Sequence, residues 1–251
     1  MYRFGLKLWS TNANYIGEVT RLYEKEIYQY IELYAVPGSF DEYISIWKGL
    51  NIPFVIHAAH FRGGMNLAKR EAEAKNLLLI RDAQQFADLL KSDKIIVHPG
   101  IAGEINETAR QLKLVNDKRI LVENKPYYAL DDNLICNGTT PEEIKQVIDT
   151  AGVGFCLDIG HSICAANAAK EDKVEYIKRF LSLKPKMYHL TDGDFNGVYD
   201  KHTHFGLGNY DLEMIMSLLP SGGMITVETE KSDSNSLIDY EKDIEALLKW
   251  R

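Results

Sequence analysis

The sequence has few cysteines and no long apolar segment. Its three cysteines, Cys136, Cys156 and Cys164, form no C-x-x-C pair. This argues against a disulfide scaffold or a thiolate zinc site, and it favours a reducing compartment. Wholly apolar runs such as residues 77–80 are far shorter than the roughly 20 residues of a membrane span. The first residues also lack the apolar core of a signal peptide, so we expect a cytoplasmic protein without membrane contact.

The sequence also lacks positive charge. Its 29 Lys and Arg residues face 36 Asp and Glu residues, which gives a net charge of −7. An acidic chain is a poor electrostatic partner for nucleic acid unless it carries a local basic patch or metal cations. With 251 residues, 45% of them hydrophobic, the chain can bury a substantial core, and we expect one domain over residues 1–251.

Short β-rich runs alternate with longer amphipathic stretches along the chain. The runs cover residues 3–8, 27–34, 53–57, 94–98, 119–123, 153–158, 186–189 and 224–228. Eight strand–helix units in about 250 residues predict an α/β fold, a single (β/α)₈ TIM barrel. A doubly wound open sheet ranks second, because the chain lacks a nucleotide-binding fingerprint: Gly206-Leu207-Gly208 has no third glycine.

Three helices have specific support in the sequence. Thr140, Pro141 and Glu143 stand at the positions of a helix cap, a first-turn proline and a capping-box carboxylate. The longest helical pattern covers residues 66–91. A pattern over residues 237–250 predicts a closing C-terminal helix.

Histidines and acids collect where the predicted strands end. All seven histidines lie at or just beyond the carboxyl end of a predicted strand, the face of a barrel that carries active sites. Glu123, Asp158 and Glu228 each finish an apolar strand, which is costly unless the carboxylate is paired or binds a cation. A lysine on a neighbouring strand could satisfy one of them but hardly all three. Imidazoles and carboxylates together are the ligands of Zn²⁺, Mn²⁺ or Fe²⁺. The histidines are His57, His60, His98, His161, His189, His202 and His204.

Two short motifs sharpen the prediction of a metal site. Asp158 and His161 are three residues apart across a strand-to-loop turn, so both side chains can reach one site. Asp200 and His202 are two residues apart and point the same way if the loop is extended. Gly206 and Gly208 would let the following backbone pack close to the metals.

These pieces together resemble the xylose isomerase-like TIM barrels, and within them the endonuclease IV-like branch (AP endonuclease family 2). The resemblance runs from the third strand to the eighth, in the family's order, and it is specific only as a set. It rests on Ile56-His57-Ala58-Ala59-His60, Val97-His98-Pro99-Gly100, Val122-Glu123-Asn124, Cys156-Leu157-Asp158-Ile159-Gly160-His161, Tyr188-His189-Leu190, Asp200-Lys201-His202-Thr203-His204-Phe205-Gly206-Leu207-Gly208 and Val227-Glu228-Thr229.

The resemblance implies up to three metal ions, usually zinc, with manganese or iron possible at one position. The first would take His57, His98 and Glu123. The second would take Asp158, His189 and Glu228, with Glu123 bridging. The third would take His161, Asp200 and His202.

Sugar isomerases and epimerases of the superfamily keep only the core Glu123, Asp158, His189 and Glu228, so the other five ligands favour the hydrolase.

The activity implied is metal-assisted phosphoester hydrolysis, of phosphodiesterase or AP endonuclease type, with Glu123 and Glu228 as catalytic residues. The sequence departs from the family in regions that meet DNA. Residues 35–41 contain no arginine, His60 replaces a usual tyrosine, and Leu207 replaces an acid. A small phosphoester or sugar-like substrate is therefore favoured over duplex DNA. The alternatives are a single-metal sugar or sugar-phosphate isomerase or epimerase, and a barrel that binds metal without catalysis.

Three further residues are candidate substrate contacts: His60, Lys125 and Lys7. Lys7 and Glu32 alternate into the same layer of the first two strands, as a buried ion pair or with Lys7 on the substrate. Lys125 follows Glu123 and either contacts substrate or is solvated. His204 is expected beside the ligands or in an exposed loop.

Overall fold

Eight parallel strands close into a barrel in chain order, as the sequence predicts. The computed structural model describes residues 2–129 and 134–250. The chain is thus a (β/α)₈ TIM barrel, with helices around the sheet. The strands are β1 (Arg3–Trp9), β2 (Tyr30–Tyr34), β3 (Phe54–His57), β4 (Ile95–Val97), β5 (Ile120–Glu123), β6 (Gly154–Asp158), β7 (Met187–Leu190) and β8 (Met224–Val227).

The strands agree with the predicted runs to within a residue or so, except at β2. The run over 27–34 begins as a strand only at Tyr30. Before it, Glu26 adopts a left-handed backbone with a φ of 58°, and the amide of Ile27 donates to the carbonyl of Leu22. The first residues of the apolar run therefore form the turn out of the preceding helix.

Helices cover the outside of the barrel, and the capping box predicted at Thr140 is present. The hydroxyl of Thr140 accepts a hydrogen bond from the amide of Glu143, and the Glu143 carboxylate accepts one from the Thr140 amide. The α-helices are α1 (Ile16–Glu24), α2 (Phe40–Lys48), α3 (Glu73–Leu89), α4 (Ile105–Val115), α5 (Pro141–Ala151), α6 (Ile159–Ala169), α7 (Lys173–Leu181), α8 (Leu212–Leu218) and α9 (Ile238–Leu247).

The long helix predicted over residues 66–91 is wrong at its start. Helix α3 begins at Glu73, because Asn66 is used in a loop instead. Its side chain accepts hydrogen bonds from the amides of Ala68 and Ile101, and its backbone is held by Asn76. Such side-chain bonds to the backbone compete with helix formation.

The closing helix predicted over residues 237–250 is present as α9, followed by a 3₁₀ turn over Leu248–Trp250. Within residues 2–129 and 134–250, no helix combines the length and apolar character needed to cross a membrane.

The inner faces of β1 and β2 build three layers. Gly5 pairs in register with Tyr30, Lys7 with Glu32, and Trp9 with Tyr34. A Cβ at Gly5 would overlap the Tyr30 ring, so the glycine makes room for that ring in the barrel's base. Alternate strand residues share a face, so an apolar base, a charged middle and an aromatic rim follow one another toward the carboxyl ends of the strands. The base consists of Tyr30, Val55, Ile96, Leu121, Cys156 and Met187.

Candidate metal centre

Glu123, at the end of β5, lies at the centre of the cluster of histidines and acids. Its Oε2 is 3.3 Å from Nε2 of His57 and 3.2 Å from Nε2 of His98. Its Oε1 is 3.1 Å from Nδ1 of His161. His57, His98 and Glu123 bring one ligand atom each within 4.8 Å of one another, so these three residues could hold one cation.

A second group of possible metal ligands is centred on the carboxylate of Asp200. Its Oδ2 is 2.9 Å from Nε2 of His202 and 3.3 Å from Nε2 of His161. The three residues come from α6 and from the loop after β7, and they also satisfy the spacing of a metal site.

The imidazole of His189, on β7, lies among the carboxylates at the centre of the cluster. Its Nδ1 is 3.0 Å from Oε1 of Glu228, 3.5 Å from Oε2 of Glu123 and 4.0 Å from Oδ2 of Asp158. Its Nε2 donates a hydrogen bond of 2.9 Å to Oε2 of Glu32. The grouping differs from the sequence prediction. Glu32, rather than Asp158, lies closest to His189 and Glu228, and Asp158 is grouped with Glu123 and His161.

Most of these imidazoles are oriented by a second hydrogen bond. Nδ1 of His57 donates to the carbonyl of Ala58 at 2.8 Å. Nδ1 of His161 donates to the carbonyl of Asn124 at 2.9 Å, and Nδ1 of His202 donates to that of Glu228 at 3.0 Å. In a neutral ring, this leaves the lone pair of Nε2 facing the carboxylates, the arrangement that metal-binding histidines require.

Two buried polar atoms at the centre lack a hydrogen-bond partner. Oε1 of Glu123 lies 3.1 Å from Nδ1 of His161, and Nδ1 of His189 lies 3.0 Å from Oε1 of Glu228, yet neither enclosed atom makes a hydrogen bond of acceptable angle to any residue within 2–129 and 134–250. An unpaired buried acceptor is costly, and each such atom calls for an explanation. Divalent cations held by these residues would satisfy such atoms. The nitrogen and oxygen donors suit zinc, manganese or iron, so the residues fit such a group.

Protons balance the acids of the cluster when no cation is bound. Burial opposes the charge of His161, but the carboxylates of Asp158, Asp200 and Glu123 together outweigh it and raise the pKa of His161 to about 10. Burial also opposes the charge of His202, but Asp200, with Glu228 and Asp158, raises the pKa of His202 to about 9. Burial together with Asp200 and Glu123 raises the pKa of Asp158 to about 6. A cation entering the cluster must displace these protons.

Asp158 and His161 are joined more tightly than the sequence suggests. No loop separates β6 from α6: Asp158 ends the strand and caps the helix, and its Oδ1 accepts a 2.7 Å hydrogen bond from the His161 amide. His161 therefore lies in the first turn of α6 and not beyond a turn. The carboxylate cap both begins the helix and fixes the spacing of the two side chains.

The loop that carries Asp200 and His202 is not extended. His202 adopts a left-handed backbone with a φ of 47°, and its amide faces Oδ1 of Asp200 at 3.4 Å. This local turn, rather than strand-like alternation, places both side chains in the cluster.

Gly206 and Gly208 pack on Asp192 and not, as expected, on the metal ligands. The Asp192 carboxylate accepts hydrogen bonds from the amides of Gly206 at 2.9 Å, Gly208 at 3.1 Å and Tyr210 at 3.0 Å. A Cβ at Gly208 would overlap this carboxylate. Asp192 was missed in the sequence, although its position just after the apolar run of β7 was a usable signal.

His204 lies beside the cluster but is held elsewhere. Its Nδ1 is 2.8 Å from Oδ2 of Asp243, and the same carboxylate accepts a hydrogen bond from the hydroxyl of Thr229. Asp243, buried on α9, thus anchors the loop from its far side.

A cavity of about 340 Å³ opens onto the cluster, and the three candidate substrate contacts line it. Nζ of Lys7 lies 2.5 Å from Oε1 of Glu32 and 2.6 Å from Oε1 of Glu228. Lys7 is therefore both a member of an ion pair and part of the cavity wall. Burial opposes its charge, but Glu228 and Glu32 raise its pKa.

Lys125 and His60 line the same cavity. Nζ of Lys125 is 3.3 Å from Nε2 of His161 and 3.7 Å from Oε1 of Glu123. Nδ1 of His60 accepts a hydrogen bond from the Arg62 amide at 3.1 Å, and burial lowers the pKa of His60 to about 3. His60 is thus a neutral ring at neutral pH.

Curated relatives match most of the chain at low identity. An uncharacterised protein of Methanocaldococcus jannaschii is 25% identical over 220 residues, which cover 78% of this chain and 71% of that protein. A protein named probable endonuclease 4 from Mycobacterium bovis is 22% identical over 188 residues, covering 70% of this chain and 72% of its own length.

Solved structures share the whole fold. A D-tagatose 3-epimerase-like protein has a TM-score of 0.72 at 21% identity and covers 99% of this chain and 96% of its own. Endonuclease IV from Thermus thermophilus also has a TM-score of 0.72, at 20% identity. The match covers 99% of this chain and 100% of that one. A second Thermus thermophilus protein, from a crystal soaked with ZnCl₂, has a TM-score of 0.70 at 19% identity. The match covers 96% of this chain and 97% of that one.

The family model described as a xylose isomerase-like TIM barrel matches residues 23–250. It spans all strands except β1, and every residue of the cluster other than Lys7. The chain therefore belongs to the xylose isomerase-like TIM barrel family, with endonuclease IV among its relatives.

Proposed function

We propose that this protein is a metal-dependent hydrolase of a small phosphoester. One observation carries the proposal: the group of His161, Asp200 and His202 stands next to the central cluster with the spacing of a further metal site. A single-metal isomerase has no use for this group. A polynuclear centre suits phosphoester hydrolysis, in which both the attacking and the leaving oxygen need stabilisation.

The proposed ligands are distributed over three positions. His57, His98 and Glu123 hold the first cation, and His161, Asp200 and His202 hold another. Asp158, His189 and Glu228 hold the remaining one with Glu123, while Glu32 orients His189. Zinc is the proposed metal, with manganese or iron as substitutes at one position, because the donors are nitrogen and oxygen atoms without thiolate. A structural relative soaked with ZnCl₂ supports this choice.

Cations at these positions would supply the positive charge that stabilises a phosphoryl group during hydrolysis. Glu123 would contribute a carboxylate oxygen to two of these positions. Glu228, fixed at Oε1 by Lys7 and lining the cavity, orients the attacking water. The Lys7 ammonium, held between two carboxylates, presents a fixed positive charge to a phosphoryl oxygen. Lys125 and His60 contact the substrate from the other walls of the cavity.

The substrate proposed is a small molecule rather than duplex DNA. A cavity of about 340 Å³ lies at the lower end of the range for small-molecule sites. The connection from β2 to α2 carries no arginine that could enter a groove, and the chain has a net charge of −7. Duplex binding depends mainly on phosphate contacts by Lys and Arg.

A sugar or sugar-phosphate isomerase or epimerase is the second candidate. It is favoured by the core set of Glu123, Asp158, His189 and Glu228, and by the similarity to a D-tagatose 3-epimerase-like structure. In that reaction one cation would hold adjacent substrate oxygens, and Glu123 and Glu228 would move protons on opposite faces.

The two candidates are separated by turnover of the zinc-reconstituted protein on two panels. One contains phosphomonoesters and phosphodiesters with chromogenic leaving groups, and the other contains ketoses and ketose phosphates. We expect hydrolysis in the first panel and no isomer formation in the second. Isomer formation without any phosphate or alcohol release would replace the hydrolase by the isomerase.

A further inference from the structure

The cavity has an aromatic rim directly beyond its charged floor. Lys7 and Trp9 are alternate residues of β1 and share a face, so Trp9 follows Lys7 toward the mouth. Two residues of a strand span about 7 Å. Trp9 is the last residue of the strand, and its side chain lines the cavity while 53% of its surface stays exposed.

A row of rings leads from this rim down to the metal ligands. The Trp9 ring lies 5.4 Å from Tyr34, and Tyr34 lies 5.1 Å from His60. His60 is stacked on His98 at 5.7 Å with planes only 17° apart. The Tyr34 hydroxyl accepts a hydrogen bond from the His60 amide, which ties the row to the backbone.

A second set of rings borders the cavity from the loop after β5. Tyr128 lines the cavity and contacts Tyr127 at 4.8 Å and Tyr199 at 5.8 Å. Pro126, Ala129 and Leu134 line the same wall, and Phe61, 43% exposed, lines the mouth on the side of β3. The outer part of the cavity is thus apolar and aromatic.

Neither set of rings is needed to bind a phosphoryl group. Phosphate recognition uses the charged floor, whereas exposed aromatic side chains beside a cavity mark a surface that a ligand covers. Aromatic rings stack on other planar rings, and such stacking contributes about 1–3 kcal/mol for each nucleobase in nucleic-acid complexes. A ligand that used both parts of the cavity would carry an anionic group at one end and a planar ring about 7 Å away.

We propose that the rim formed by Trp9 and Tyr128, with the buried ring of Tyr34 packed against Trp9, binds a planar aromatic ring on the alcohol side of the substrate. The substrate class is then an aryl or nucleoside phosphoester, rather than the phosphoester of a simple polyol. This inference rests on the proposed function for the phosphoryl end of the ligand, but the rim itself is tested by binding alone.

The test compares two non-hydrolysable ligands that share their anionic group. The zinc-reconstituted protein is titrated calorimetrically with propylphosphonate and with 3-phenylpropylphosphonate, whose three-carbon linker lets the ring reach the rim while the phosphonate stays at the charged floor. We expect a Kd for 3-phenylpropylphosphonate at least about fivefold lower, which corresponds to the lower end of stacking energies. In Trp9→Ala and Tyr128→Ala the ratio of the two Kd values should fall toward one. Trp9→Phe, which keeps a ring, should restore most of the preference.

Leu207→Ala is the matched control, because Leu207 is a large apolar residue, 76% exposed, that does not line the cavity. It should keep the full preference. Equal affinities in the unaltered protein, a preference that survives both alanine variants, or no binding of either phosphonate would overturn the inference. A preference for the ring without hydrolysis of any phosphoester would overturn the proposed function and leave the rim standing.

Discussion

Nε2 of His189 donates a hydrogen bond to Glu32 at 2.9 Å, which turns Nδ1 of the same ring toward Glu123 and Glu228. Glu32 is itself fixed by the hydroxyl of Thr226 and by Lys7. Carboxylates in this position hold the tautomer and the orientation of a metal-binding imidazole. Glu32 thus orients a ligand from inside the barrel, without facing the cavity.

Glu32→Gln should weaken metal binding by about 10- to 100-fold, the usual effect of removing such a partner. The amide keeps the size of the side chain but removes the charge that holds both His189 and Lys7. The measurement is a competition titration against a fluorescent zinc chelator. Glu107→Gln on α4, a carboxylate paired with Arg110 far from the cluster, is the control and should leave affinity unchanged. Unchanged affinity in Glu32→Gln would show that His189 does not depend on it.

The purified protein should contain about three transition-metal ions per chain, at least partly zinc, when it is prepared without chelators. The expectation follows from the separate donor groups around Glu123, Asp200 and His189. Elemental analysis by mass spectrometry measures the ratio. A single ion per chain after reconstitution would count against a trinuclear centre and favour the isomerase.

His161→Ala or His202→Ala should remove one metal position and lower phosphoester hydrolysis by orders of magnitude, while the barrel stays folded. Both imidazoles meet at Asp200, so either change breaks that group. His204→Ala is the matched control, since this ring faces Asp243 instead of the cluster. Full turnover with either test variant would mean that the Asp200 group is not part of the active centre.

The metal-free protein should lose stability as the pH rises from about 6.5 to about 10. His161 and His202 have folded-state pKa values raised to about 10 and about 9, against an ordinary value of 6.5. A raised pKa stabilises the fold fully below the unfolded value, and that contribution disappears as the pH passes the folded value.

Melting temperatures in EDTA across this range measure the effect. His202→Ala should show a shallower decline, because one of the two titrating groups is gone. The zinc-loaded protein should decline less, since bound cations already displace these protons. A melting temperature that rises over the same range would contradict the charge balance of the cluster.

Duplex DNA containing an abasic site should bind weakly at physiological salt and be cut slowly at best. The chain has a net charge of −7, and residues 35–41 offer no arginine. An incision assay beside small phosphoesters, repeated at several salt concentrations, checks this. Rapid and specific cleavage at low enzyme concentration would place the protein in DNA repair instead.

The barrel and the positions of most cluster residues could be predicted, because the six strands β3 to β8 are short apolar runs with an acid or a histidine at or next to the carboxyl end. The sequence predicts Glu32 only as a partner of Lys7. Its contact with His189 joins β2 to β7, and no local sequence pattern indicates a contact between residues so far apart in the chain. The start of α3 was missed because the Asn66 side chain bonds to Ile101, which is remote in sequence.

The junction of β6 and α6 has a consequence for changing this protein's specificity. Asp158 ends the strand and His161 lies in the first helical turn, with no loop between them. One residue inserted here would rotate His161 by about 100° around the helix axis, away from Asp200. Redesign must therefore leave the length of this junction untouched. The longer connections after β3 and β5, which carry Phe61 and Tyr128, are where segments of different length can be exchanged.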